Sequence, residues 1–166
     1  MILVKEKNLN FIGDENAVNI VTGYILTLTV LMIITGSIIG FFYLKAEDSS
    51  RQAMHIGFTD LGSQIARDIT NAYITSEYSS NISIDIRRDI PLTIGGKGYR
   101  IALNNATPER NAYIGIVEGS SSGYEIITTI NSINSDINAS GIVYSGSGEI
   151  NIIIIKNNSG ARIWIR

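Results

Sequence analysis

The side chains that could do chemistry are few and scattered. His55 is the sole histidine, and cysteine is absent. A catalytic imidazole needs a nucleophile and an orienting carboxylate, and a metal-binding one needs co-ligands. Neither set stands at a usable spacing from His55. Without Cys, thiolate zinc sites, iron–sulfur clusters, disulfide scaffolds and cysteine nucleophiles are excluded. Gly95-Gly96-Lys97-Gly98 has the composition of a phosphate cradle, but no helix follows to supply an N-terminus, so a hairpin turn is expected. Gly119-Ser-Ser-Ser-Gly123 lacks the strand-to-helix turn and downstream histidine of a nucleophile elbow. No catalytic residue, metal, cofactor or small-molecule substrate is implied, and an enzyme is not expected.

Two other patterns carry more. Four N-x-[ST] sequons stand at Asn81, Asn105, Asn138 and Asn157, candidate acceptors for N-glycosylation if that region leaves the cell. Gly36 and Gly40 form a G-x-x-x-G, the spacing that lets two membrane helices approach closely. At about 100° per residue, Thr22, Thr29, Gly36 and Gly40 fall within roughly 40° of one direction. That makes them a candidate helix–helix packing stripe.

The charge map shows which elements must position these residues. Between Glu15 and Lys45 there are 29 uncharged residues, Asn16 to Leu44. As a helix, residues 17–44 would be roughly 42 Å long, more than a hydrocarbon core of about 30 Å requires. A cleaved secretory signal has a shorter apolar region and a small-residue cleavage site, and Tyr43-Leu44-Lys45-Ala46-Glu47 offers none. Residues 17–44 therefore read as a transmembrane helix, with the lipid bilayer as partner. Lys5 and Lys7 before the span balance Lys45 and Arg51 after it, so charge gives no orientation. A short tail, residues 1–16, faces a long C-terminal region. This favours a single-pass protein in the cell membrane, N-terminus cytoplasmic and C-terminal domain extracellular. Net charge is −2 without a concentrated basic surface, which argues against nucleic acid.

After Lys45 the pattern turns amphipathic. Met54, Phe58, Leu61, Ile65, Ile69 and Ala72 recur at helical spacing, and no proline occurs before Pro91. One helix should run from about Ala17 to Tyr73, with residues 45–74 as its amphipathic continuation. Gly57 and Gly62 weaken it by about 1 kcal/mol each relative to Ala. Beyond residue 80 the period becomes two. The chain holds 33 isoleucines, a β-branched residue suited to strands. Expected strands are Ile82–Ile86, Ile90–Ile94, Tyr99–Leu103, Tyr113–Glu118, Tyr124–Ile130, Gly141–Tyr144, Glu149–Lys156 and Ala161–Ile165. The second and third should form a hairpin around Gly95-Gly96. The fold class is thus α+β: a long N-terminal helix, then an antiparallel β-sheet or small β-sandwich over residues 80–166.

The stretch from Gly13, with Ala17-Val18-Asn19-Ile20-Val21-Thr22-Gly23-Tyr24 leading into one span and an amphipathic continuation, resembles the N-termini of archaeal type IV pilin-like proteins. Ile90 to Ile101 looks like the hairpin of uncharacterised single-span pilin-like proteins of methanogens and haloarchaea. The resemblance implies a cell-surface structural protein whose leader is trimmed near Gly13 and whose helices bundle with themselves or with other pilin-like subunits. Cleavage after Gly13 would make Glu15 the second residue, where a mature pilin commonly has Glu fifth. This favours a minor subunit over the major one. The alternative is a monomeric signal-anchored surface domain that binds a ligand or envelope component.

Overall fold

The computed structural model describes residues 15–79, 81–120, 123–131, 133, 137–158 and 160–166. The candidate processing residue Gly13 lies outside them. The chain divides into two compact units, Met1–Ala46 and Glu47–Arg166. Helix α1, Glu15–Glu77, contributes to both. No proline interrupts it. It ends in a turn in which the Ser79 amide donates to the Ser76 carbonyl at 3.3 Å.

Among the described residues the second unit has seven strands: β1 (Ile82–Asp89), β2 (Tyr99–Asn104), β3 (Tyr113–Glu118), β4 (Glu125–Thr129), β5 (Asn138–Tyr144), β6 (Glu149–Asn157) and β7 (Gly160–Ile165). They form one sheet in the order β1-β6-β7-β5-β2-β3-β4. Every pairing is antiparallel except β5 with β7. The α+β layout is therefore a helix on a single sheet, which corrects the sandwich alternative. A second sheet is not needed because the amphipathic half of α1 supplies the second layer.

Burial alternates along β1, β2 and β4, as a half-covered sheet requires. Ile101, Leu103, Ile114, Ile116, Ile150, Ile152, Ile154, Ile163 and Ile165 face the helix and are buried with Met54, Phe58, Leu61, Ile65, Ile69 and Ala72. The stripe read from helical spacing is the stripe that packs.

One strand expectation fails. Ile90–Ile94 is not a strand, and β1 and β2 are not neighbours, because β6, β7 and β5 intervene. Pro91 has no amide to donate to a ladder, and this segment must cross the end of the sheet. The Ile90 amide donates to the Gly148 carbonyl at 2.9 Å, and the Tyr99 hydroxyl donates to the Pro91 carbonyl at 2.6 Å. The turn itself is present: Gly95 and Gly96 have φ of 61° and 77°, closed by the Ile94–Lys97 bridge. Positive φ at both central residues is what a type I′ turn demands.

Candidate functional site

From Val18 to Leu44 every residue of α1 is exposed. Eighteen of these are large apolar side chains, among them Ile25, Leu28, Met32, Ile39, Phe41 and Phe42. Polar groups in this stretch are closed on the helix itself. The hydroxyls of Thr22, Thr27, Thr29 and Ser37 donate to the carbonyls of Val18, Gly23, Ile25 and Ile33 at 2.8–2.9 Å. Such back-bonding lets a hydroxyl sit in hydrocarbon without another partner. A Cβ built on Gly36 or Gly40 would meet nothing within 4 Å. The stripe of Thr22, Thr29, Gly36 and Gly40 is thus small, internally satisfied and open. By length and composition α1 can cross a membrane.

The glycines of the second unit behave in the opposite way. A Cβ on Gly57 would lie 2.5 Å from Ile94 Cγ2, and one on Gly62 would lie 2.5 Å from Thr128 Oγ1. These two positions let the helix backbone come down onto the sheet side. Read alone, they look like mere weak points of the helix. Their positions beside Phe58 and Leu61 on the apolar stripe are the signal that they pack. Gly95 adds a third close approach, because a Cβ there would sit 2.6 Å from the Ser50 carbonyl. The Ser50 hydroxyl donates to the Gly95 carbonyl at 2.6 Å.

Two polar contacts fix the helix against the sheet. Arg88 donates from Nε to Asp68 Oδ2 at 2.6 Å and from a terminal nitrogen to Gln64 Oε1 at 2.9 Å. The hydrogen bond to Asp68 raises the guanidinium pKa against the opposing effect of burial. Arg87 pairs with Glu149 across β1 and β6. Tyr99, buried against Phe58 at 5.4 Å between ring centroids, has its phenol pushed up to about 12 by desolvation. His55 is exposed, its ring edge-on to Tyr124 at 6.3 Å.

The outer face of the sheet carries a groove among the described residues. This groove of about 430 Å³ is lined by Asn138, Ile155, Asn157, Gly160, Ala161, Arg162 and Trp164. Nothing in the spacing of these residues announced it, because β5 and β7 meet only through a parallel pairing of segments distant in sequence.

The family signature of DUF7266 matches residues 13–145, well over half of the chain. The chain belongs to DUF7266, a family of unknown function. In this DUF7266 chain the matched region opens at Gly13 and takes in α1 and strands β1 to β5. No curated protein and no solved structure matches it.

Proposed function

We propose that this DUF7266 chain is a membrane-anchored, pilin-like structural protein of the cell surface, a minor subunit of a type IV pilus-like assembly. In this reading residues 17–44 span the bilayer, the N-terminus is cytoplasmic, and residues 80–166 form an extracellular domain. The observation that carries the reading is a single helix used in two ways: fully exposed and apolar from Val18 to Leu44, and buried along one stripe from Met54 to Ala72. Eighteen uncovered large apolar side chains, at about 1.5–3 kcal/mol each, amount to tens of kcal/mol of burial. That exceeds the net stability of about 5–15 kcal/mol typical of a domain, so the segment needs cover. Bilayer and neighbouring helices supply it, the latter along Thr22, Thr29, Gly36 and Gly40. The role is structural rather than enzymatic.

The test is twofold. Mass spectrometry of the native N-terminus should find it near Gly13, and membrane crosslinking should give multimers that Gly36→Leu with Gly40→Leu depletes. An intact Met1 with no multimer would sink the filament reading. Unchanged crosslinking in the double variant would remove the stripe from it.

A second reading, a monomeric signal-anchored domain that binds a ligand or envelope component, has the groove beside Trp164 on its side. It calls for an uncleaved anchor and a binding activity that Trp164→Ala abolishes.

A further inference from the structure

The four sequons, dispersed over 77 positions of sequence from Asn81 to Asn157, come together in space. Asn81 immediately precedes Ile82, which pairs with Lys156, so it lies level with the end of β6. Asn157 pairs with Gly160 where β6 turns into β7. Asn138 pairs with Arg162 near the start of β7. Asn105 follows β2 directly, and its Oδ1 accepts from the Ala139 amide at 3.2 Å. All four therefore lie at one end of the sheet. The Gly95 turn, held by Ser50 and packed on Met54, lies at the other end with Gly148 and Ser145. Within Glu47–Arg166, the sequons crown the end remote from the residues that enter from the apolar segment.

Three of these triplets lie wholly within the described residues, and each presents both groups that a sequon needs. Asn81 with Ser83, Asn105 with Thr107, and Asn138 with Ser140 are exposed pairs, while the middle residues Ile82, Ala106 and Ala139 turn inward. In extended chain, positions i and i+2 share a side, so amide and hydroxyl face solvent together. The Asn105 contact is compatible with modification, because it uses the amide oxygen and leaves Nδ2.

We propose that Asn81, Asn105 and Asn138 are N-glycosylated, forming a glycan crown on the end of the domain remote from Glu47. The reaction is transfer of an oligosaccharide from a polyisoprenoid-phosphate-linked donor by a membrane transferase. Asn Nδ2 forms a bond to the anomeric carbon, the bond from that carbon to the phosphate oxygen breaks, and the phosphate leaves with the electron pair. A base on the transferase takes the proton lost from Nδ2, and no redox change occurs. The inference rests on the outward placement of residues 80–166, since donor and transferase must meet this end of the domain.

The absence of native cysteine makes the two claims separable. Gly146→Cys, at an exposed position where a Cβ meets nothing within 4 Å, provides a topology probe. The full chain is taken from its own cells for intact-mass and glycopeptide analysis, and the Gly146→Cys chain is labelled on intact cells with a membrane-impermeant maleimide. Expected are labelling from outside, a mass above that of the polypeptide, and sugar on peptides holding Asn81, Asn105 and Asn138. Each Asn→Gln variant should lose one glycan mass. Ser83→Ala, Thr107→Ala and Ser140→Ala should lose the same increments with the asparagine in place. Labelling from outside with an unmodified mass overturns the glycan crown and leaves the topology standing. Labelling only after lysis overturns the topology, and the crown with it.

Discussion

Helix α1 holds two pairs of glycines that do opposite things. Around Gly36 and Gly40 there is open space, whereas Gly57 and Gly62 are crowded to 2.5 Å by Ile94 and Thr128. The side chains follow the same division: Ile33, Ile34 and Phe41 are exposed, while Phe58, Ile65 and Ile69 are fully buried. Both segments are helical and apolar, so helix propensity does not separate them. What separates them is where the cover comes from. The later segment carries polar residues around a narrow stripe and buries that stripe on a sheet in the same unit. The earlier one is apolar all round, the pattern of a helix whose entire circumference meets a nonpolar medium.

Substitutions that treat the two halves alike should therefore give unlike results. The largest contrast is expected from truncation. Phe58→Ala should cost about 3–5 kcal/mol of domain stability in detergent-solubilised chain, read by urea unfolding. Phe41→Ala should leave the transition of Glu47–Arg166 within about 0.5 kcal/mol. Equal losses would break the division between the halves.

Enlarging the glycines comes next. Gly62→Leu forces Thr128 and the β4 edge to move and should cost about 1–3 kcal/mol in the same assay. Gly36→Leu should leave that transition unchanged while weakening association in membranes. A third, smaller effect is expected at Arg88. Its loss leaves Asp68 without its partner, at about 1–2 kcal/mol, discounted because both groups retain some exposure.

These contrasts also mark what the sequence discloses. Period 3.6 from Met54 to Ala72 and period two beyond residue 80 are properties of neighbouring residues, so the helix stripe and seven strands can be read directly. Pairing is not local. The insertion of β6 and β7 between β1 and β5 brings together residues up to 74 positions apart, as in Ile82 with Lys156. No alternation pattern encodes that, whereas the expected hairpin between Ile90–Ile94 and Tyr99–Leu103 failed because Pro91 cannot donate to a ladder and its segment crosses the end of the sheet. Likewise the small-residue stripe is visible as spacing. The close approach at Gly57 and Gly62, the groove beside Trp164 and the gathering of the sequons at one end all depend on the register of distant strands.

A further effect concerns pH. Burial holds the Tyr99 phenol neutral up to about 12, against 10.0 when free. Its contribution is fully present below about pH 10 and is lost as the pH rises through the folded value. Tyr99→Phe should be less stable at neutral pH, because the bond to the Pro91 carbonyl is gone. It should also lose less stability than the wild type between pH 10 and 12. Parallel pH profiles would remove Tyr99 from the account of the core.

The most direct test of one helix in two surroundings is a single-cysteine spin-label scan from Val18 to Ala72 in lipid vesicles. Accessibility to oxygen is read against accessibility to an aqueous relaxation reagent. From Ile20 to Phe42 the labels should be shielded from the aqueous reagent on every side, with oxygen access reduced only along Thr22, Thr29, Gly36 and Gly40. From Met54 to Ala72 aqueous access should oscillate at 3.6 residues, lowest at Phe58, Ile65 and Ile69 and highest at Asp60, Arg67 and Asn71. Aqueous access recurring through Ile20–Phe42, or the same profile in both halves, would contradict the membrane assignment.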